Sequence, residues 1–302
     1  MKHPKIKGIV PILPTPFTPD DAVDLQAIDS LVDFSISAGV AAVGTPAFGS
    51  EFYKLDAAER TAILETVIGH AAGRVAVIAQ CNAHAPRHAA RLAVQAEKMG
   101  ASAINVALPR AFASSPRQLL AFARTVCDAV SVPVVVQDWY TGGEAVGLPF
   151  VVELRRHCDN FHYLKREEAG LGPLIRAIAR EVGDEVGVFL GWGGMYVPEL
   201  QPTGACGVMP GLALADVFVR LWRLGGDENW SAANALFAQM APYIQFSLQT
   251  FEQFHHAEKR LLVARGLLAS AFVRPVTIDL NDDALQYLDA LIGQLRPLFN
   301  KS

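Results

Sequence analysis

The most constraining feature of this chain is an alternation. Through its first three-quarters, short apolar β-rich runs take turns with amphipathic helical windows. The strand candidates are Gly8–Pro11, Ala41–Gly44, Val75–Ala79, Ala103–Val106, Pro133–Gln137, Tyr163–Lys165, Val186–Leu190 and Gly207–Met209. Most are nearly continuous apolar segments, which suits parallel strands covered on both faces. Between them apolar residues return at helical spacing, as in Leu64, Val67, Ile68 and Ala71, or Leu171, Leu174, Ile175, Ile178 and Val182. Asp56 with Glu59 three residues on predicts a capped helix start, and Pro86 predicts a helix opening. Gly39, Gly100 and Gly204 each close a helical window just before a strand, where a C′ glycine belongs. These junctions recur as a weak internal repeat of βα units. Eight strands with alternating helices predict an α/β fold, a (β/α)8 TIM barrel, with a doubly wound open sheet second. No GxGxxG follows the first strand, which counts against the dinucleotide-binding form of the open sheet.

From about Leu212 the strands stop, and three helical windows follow, roughly Trp230–Phe246, Phe254–Ala269 and Asp282–Phe299. Gly225–Gly226–Asp227 is the expected joint, giving a barrel with the active site over 1–225 and a C-terminal helical extension over 226–302. At 302 residues the chain is long for one ordinary domain, but α/β barrels run to this length as one. With 51% hydrophobic residues and 19% charged, disorder is excluded. The net charge of −4 offers no basic footprint for nucleic acid. The uncharged run Phe34–Ser50 is broken by Gly39, Gly44, Pro46 and Gly49, so no membrane span is expected. The N-terminal MKHPKIKG lacks the apolar stretch of a signal peptide. Cys81, Cys127, Cys158 and Cys206 are scattered without a CxxC pair and read as reduced structural thiols of a cytoplasmic protein.

In a barrel the chemistry lies at the C-terminal ends of the strands, so polar residues there are the candidates. Lys165 ends strand six. A lysine buried there is the residue type expected for imine formation with a 2-oxo acid, which needs a nucleophilic amine. The competing reading is a strand-end lysine that snorkels to solvent. Glu167, two residues on, shares that strand face, whereas Arg166 points away. It is either a proton shuttle beside an imine or an ion-pair partner or helix cap. Gly49, Ser50 and Glu51 lie in the loop after strand two, where backbone N–H groups can gather around an anion, or where the loop is simply solvated. Gln137 and Asp138 end strand five. His84 reads as a loop-surface histidine or a site residue, and Trp192 as a pocket wall or a filler of the barrel mouth. His255–His256 reads as helix surface. No metal-ligand constellation, GxSxG, P-loop or HExxH occurs in the sequence, so no metal and no cofactor are expected.

These segments carry a resemblance. GIVPILPTPF at the start, Ser50–Glu51–Phe52 in the strand-two loop, AGRVAVIAQ, VPVVVQD, YLKREE and GACGVMPG occur in an order similar to the dihydrodipicolinate synthase/N-acetylneuraminate lyase family. The likeness covers nearly the whole chain and implies a class I, Schiff-base (β/α)8 enzyme with a helical C-terminal extension. It puts Lys165 at the position of the imine-forming lysine. The family's strand-five Tyr-Asn-x-Pro is replaced by Gln137–Asp138–Trp139–Tyr140, its strand-two Gly-Thr-Thr-Gly-Glu by Ala47–Phe48–Gly49–Ser50–Glu51, and its Pro-Pro-Tyr-Tyr by Leu108–Pro109–Arg110–Ala111. Glutamine cannot relay protons, so the tyrosine relay is missing from its usual place. These departures resemble the branch containing L-2-keto-3-deoxyarabonate dehydratase, which implies roles for Ser50, Glu51, Gln137, Asp138, Lys165 and Glu167, with Glu167 as acid/base. The expectation is a lyase that dehydrates a 2-keto-3-deoxy sugar acid, with a retro-aldolase or synthase handling pyruvate as the alternative. A non-catalytic sugar-acid-binding barrel is the alternative of another class. The expected partner is a small 2-oxo acid, and the resemblance implies a homo-oligomer, a tetramer.

Overall fold

The computed structural model describes residues 6–110, 115–139 and 145–299. Eight parallel strands run β1 (Gly8–Ile9), β2 (Ala42–Thr45), β3 (Ala76–Gln80), β4 (Ala103–Ala107), β5 (Val134–Asp138), β6 (Phe161–Arg166), β7 (Gly187–Leu190) and β8 (Gly207–Val208). Each pairs with its sequence neighbour from β2 to β8, and β1 pairs with β8. The last seam is closed at Ile12, which bridges Gly44 on one side and Gly211 on the other. Ala41 N–H donates to the Ile9 carbonyl at 2.8 Å and Leu13 N–H to Gly44 at 3.0 Å. The sheet is therefore a barrel, as the alternation of apolar runs predicts, and not an open doubly wound sheet.

The helices between strands are α1 (Leu25–Ala38), α2 (Ala57–Ala71), α3 (Pro86–Met99), α4 (Pro116–Cys127), α5 (Leu148–His157), α6 (Gly172–Val182), the short α7 (Val197–Leu200) and α8 (Ala215–Gly226). Their ends follow local chemistry. Asp56 accepts from Glu59 N–H at 2.8 Å while Glu59 accepts from Asp56 N–H at 2.9 Å, a reciprocal cap on α2. Pro86 occupies the first turn of α3, and Gly100 closes that helix at φ +102°. Leu64, Val67 and Ala71 face the core from α2, as do Leu171 at the cap of α6 and Ile175 and Ile178 within it. Leu174 and Val182, on the same stripe, are half-buried.

After α8 come α9 (Trp230–Ser247), α10 (Phe251–Ala264) and α11 (Asp282–Leu295). The second starts three residues earlier than its apolar pattern suggests because the Thr250 hydroxyl accepts Gln253 N–H at 3.0 Å and caps it there. The stretch from Leu248 into α10 folds back onto the mouth of the barrel, while α9 packs on α8 and α11 on α9. No helix among the described residues is long and apolar enough to cross a membrane. All four cysteines are free thiols.

Strand alternation sorts the barrel side chains into two sets. Outward residues pack under the helices. Inward ones, among them Val10, Ile78, Val135, Tyr163 and Phe189, fill the lumen. At the lumen's N-terminal end the Tyr163 hydroxyl accepts Ile6 N–H at 2.6 Å. Toward the C-terminal end the inward residues turn polar: Gln80 on β3, Asn105 on β4, Gln137 on β5 and Lys165 on β6, all buried.

Candidate active site

The polar layer forms the floor of a cavity of about 250 Å3 at the C-terminal mouth, open to Lys165, Glu167 and Gln137. Lys165 and Glu167 lie on the same face, two residues apart, with Nζ 3.1 Å from Oε1. Glu167 Oε1 also accepts from Gln137 Nε2 at 2.7 Å, and Oε2 accepts from Trp192 N–H. The carboxylate lies directly against Gly191, where any Cβ would overlap it. Trp192 holds a positive φ of 46°, and the peptide plane it shares with Gly191 points its N–H at the carboxylate. Glu167 does not cap a helix: α6 begins only at Gly172.

Gln137 is itself aimed. Asn105 Nδ2 donates to Gln137 Oε1 at 3.0 Å and also to Gln80 Oε1. An amide ladder thus crosses three strands and presents the Gln137 NH2 group to Glu167. Sequence reasoning passed over Asn105, Gln80 and Gly191. The available signal was a lone inward polar residue near the end of β3, β4 and β5, two positions beyond an inward apolar one.

The remaining candidates divide. Gly49 lines the cavity with Phe48, and Trp192 forms part of its wall. Ser50 does not reach it. Its hydroxyl donates to the Leu13 carbonyl at 2.5 Å and accepts Ala47 N–H at 2.9 Å, and its own carbonyl accepts the Thr15 hydroxyl at 2.6 Å. Ser50 ties the strand-two loop to the end of β1. Glu51, at φ +59°, is turned the other way. It is fully buried, 2.5 Å from Lys259 of α10 and 3.0 Å from Lys54. Asp138 is also spoken for: Arg110 grips it with two bonds of 2.8 and 2.9 Å, and Val146 N–H donates to it at 2.7 Å. Arg166 points away from the lumen, as strand alternation requires, and donates to the Val146 carbonyl. His84 lines a neighbouring cavity of about 540 Å3 together with Asn82 and Arg110. Tyr140 and Ala111 lie outside the described residues.

His255 is not helix surface. It is buried at 1% exposure, 3.0 Å from the Tyr53 hydroxyl. Burial depresses its pKa to about 4, against the pull of Glu51 and Glu252. Burial likewise lowers Lys259 to about 8, opposed by Glu51. The site also takes residues from the C-terminal extension. Leu248, Phe251 and Phe254 supply one wall, so the cavity is built jointly by the barrel and the helices that follow it.

Fold and site together define a (β/α)8 barrel with a lysine–glutamate pair on the floor of its C-terminal cavity. The chain belongs to the Dihydrodipicolinate synthetase family, whose profile matches residues 5–295. It is accordingly an enzyme of the Schiff-base lyase and aldolase kind. It is 28% identical over 302 residues to an L-2-keto-3-deoxyarabonate dehydratase of Azospirillum brasilense, covering 98% of this chain and 96% of that protein. To an N-acetylneuraminate lyase of Rhizobium meliloti (strain 1021) it is 31% identical over 273 residues, 90% of this chain and 89% of the relative. A solved dihydrodipicolinate synthase from Rhodopseudomonas palustris superposes with a TM-score of 0.88 at 27% identity, over 96% of this chain and 97% of that one.

Proposed function

We propose that this enzyme dehydrates a 4-hydroxy-2-oxo acid of the 2-keto-3-deoxy sugar acid type through an imine on Lys165. The observation that carries the reading is the pairing of Lys165 Nζ with Glu167 Oε1 at 3.1 Å on the cavity floor, with an amide in place of a proton-relaying tyrosine. Lys165 attacks the C2 carbonyl and water leaves, giving an iminium that draws electrons from C3. Glu167 takes a C3 proton, and the resulting enamine expels the C4 hydroxyl as water after Glu167 returns the proton. Hydrolysis of the conjugated iminium then frees the product and regenerates Lys165. The carboxylate at C1 is held by the backbone of Phe48 and Gly49. The 3-10 turn at Phe48–Ser50 uses the N–H groups of Ser50 and Glu51 for its own ladder, leaving those of Phe48 and Gly49 at the cavity side. Ser50 and Asp138 act through the backbone they hold in place rather than on substrate.

The relative from Azospirillum supports dehydration, and the lyase from Rhizobium supports aldol cleavage as the second reading. Gln137, unable to relay a proton, favours dehydration, in which one carboxylate serves both proton transfers. Members of the family are usually homo-oligomers, and a tetramer is proposed here. The test is borohydride added with pyruvate. Lys165 is expected to gain the mass of a reduced adduct, and the Lys165→Ala variant none. Trapping that persists in the variant would end the imine reading. With 2-keto-3-deoxy acids as substrates, product mass separates loss of water from release of pyruvate.

A further inference from the structure

Beneath the cavity the barrel buries two amides that stability does not explain. On β3, β4 and β5 the inward residues one layer down are Ile78, Ala103 and Val135, which fill the lumen with carbon. Two positions further along those strands stand Gln80, Asn105 and Gln137, all buried. Of these three, only Gln137 lines the cavity. Gln80 and Asn105 stand behind it, where apolar side chains would pack as they do one layer below. Their amides are also incompletely bonded: Gln80 Nε2 and Asn105 Oδ1 have no hydrogen-bond partner among the described residues. A buried network left partly unsatisfied is less favourable than apolar packing.

The direction of the bonds supplies a reason for them. An ionised carboxylate only accepts, so Gln137 must turn its NH2 group to Glu167 Oε1, 2.7 Å away. Its own Oε1 then faces β4 and needs a donor there. Asn105 provides one: one hydrogen of its Nδ2 goes to Gln137 Oε1 at 3.0 Å, and the other goes to Gln80 Oε1. With both hydrogens engaged, the Asn105 amide is pinned between two carbonyl oxygens and cannot offer its own oxygen to Gln137. Glu167 Oε2 is held by Trp192 N–H, so the carboxylate is fixed at both oxygens. Its remaining partner, Lys165 Nζ at 3.1 Å, is the atom that changes during the reaction. Resting on the imine reading above, we infer that Asn105 is a positioning residue for proton transfer at C3. Without touching substrate, it keeps the Gln137 NH2 group on Glu167 and so holds Oε1 in place as the base. Without Asn105 the Gln137 amide is free to turn over, which would set two acceptors against each other.

Pyruvate in D2O tests this without a leaving group, because its imine needs only a base to exchange the methyl hydrogens. The C3 proton goes to Glu167 Oε1, the C–H electron pair forms C2=C3 of the enamine, and a deuteron returns from the carboxyl group after it has exchanged with solvent. Borohydride trapping on the same preparation counts the sites that form the imine, and exchange is expressed per trapped site, so unfolded protein does not enter. Asn105→Leu is expected to lower kcat/KM for exchange about tenfold, the scale of a hydrogen bond to a charged group, with trapping intact. Asn105→Ala, which adds no volume, is expected to do the same. In the Gln137→Ala background either substitution should cost less than about twofold, because its effect runs through an amide that is no longer there. Losses that multiply across the two positions would make Asn105 a structural residue and overturn the proposal. Exchange unchanged in Asn105→Leu with trapping intact also overturns it, and both results leave the imine reading standing. Wild-type trapping without exchange removes Glu167 as the base at C3 and the proposal with it. Absence of trapping removes the imine reading as well.

Discussion

Two of the lysine–glutamate pairs in this molecule, Lys165–Glu167 and Lys259–Glu51, sit in opposite surroundings. Lys165 and Glu167 stand side by side on β6, with side chains 8% and 10% exposed, facing a cavity. Lys259 and Glu51 come from α10 and from the turn after β2, both at 0% exposure and 2.5 Å apart. Around the second pair sit Lys54, which reaches Glu252 at 2.6 Å, and Arg274, which reaches Glu59 at 2.8 Å and Asp21 at 2.9 Å. The sealed pair fastens the C-terminal helices to the barrel, and so sets Phe251 against Phe48. The open pair keeps one side toward the cavity, where the proposed proton transfers would take place. Identical side chains take different roles because one pair has a free side and the other has none.

The comparison breaks most sharply at Glu167. Replacing it by Gln keeps the shape and removes the base, so turnover is expected to fall by about 10²–10⁴-fold while borohydride trapping on Lys165 persists. Loss of trapping with turnover retained would make Glu167 a partner of the lysine and leave the base unidentified. Lys259→Met tests the other pair. It leaves Glu51 buried without its closest cation, and breaking a buried pair costs about 3–5 kcal/mol. Denaturant unfolding should record that loss, and the double variant Glu51→Gln/Lys259→Met should recover most of it. Lys165→Met is expected to lose far less stability, because Glu167 retains Gln137 and the Trp192 N–H. Equal losses for the two lysines would show that the two pairs carry the same structural load.

A third expectation concerns pH. His255, depressed from 6.5 to about 4 by burial, contributes stability above pH 6.5 that is lost as pH falls through 4, since the unfolded chain takes up the proton first. Glu258 works in the opposite sense. Burial raises it from 4.5 to about 7, so it favours the fold below pH 4.5 and ceases to as pH rises through 7. The whole-protein curve combines the two, so the measurement is differential. Relative to His255→Gln, the wild type should lose up to about 3 kcal/mol between pH 6.5 and 4. A difference that does not vary with pH would show that His255 protonates freely in the fold. The smallest effect is expected at Gln137. Gln137→Ala removes one hydrogen bond to Glu167, and substrate binding should weaken by about 1–2 kcal/mol. A 10⁴-fold fall in turnover at unchanged binding would instead place that residue at the centre of the chemistry.

What the sequence by itself determined rests on local periodicities. Continuous apolar runs between helical stripes are set by nearest neighbours, so the eight strands were legible to within a residue or two. Strand alternation is equally local, and it put Lys165 and Glu167 on one face with Arg166 on the other before any partner was known. Capping at Asp56 and the opening of α3 at Pro86 belong to the same short range. Only the tertiary structure decided which loop residues face the cavity. Ser50, Glu51 and Asp138 sit at the strand ends where a barrel site belongs, yet their partners are Leu13, Lys259 and Arg110. No spacing rule connects residue 51 to residue 259, and the left-handed backbone at Glu51 reverses the direction its side chain would otherwise take. The amide ladder through Asn105 and the aromatic wall from α10 share that origin. Each is made by elements distant in the chain that meet only when the barrel closes and the last helices return to its mouth.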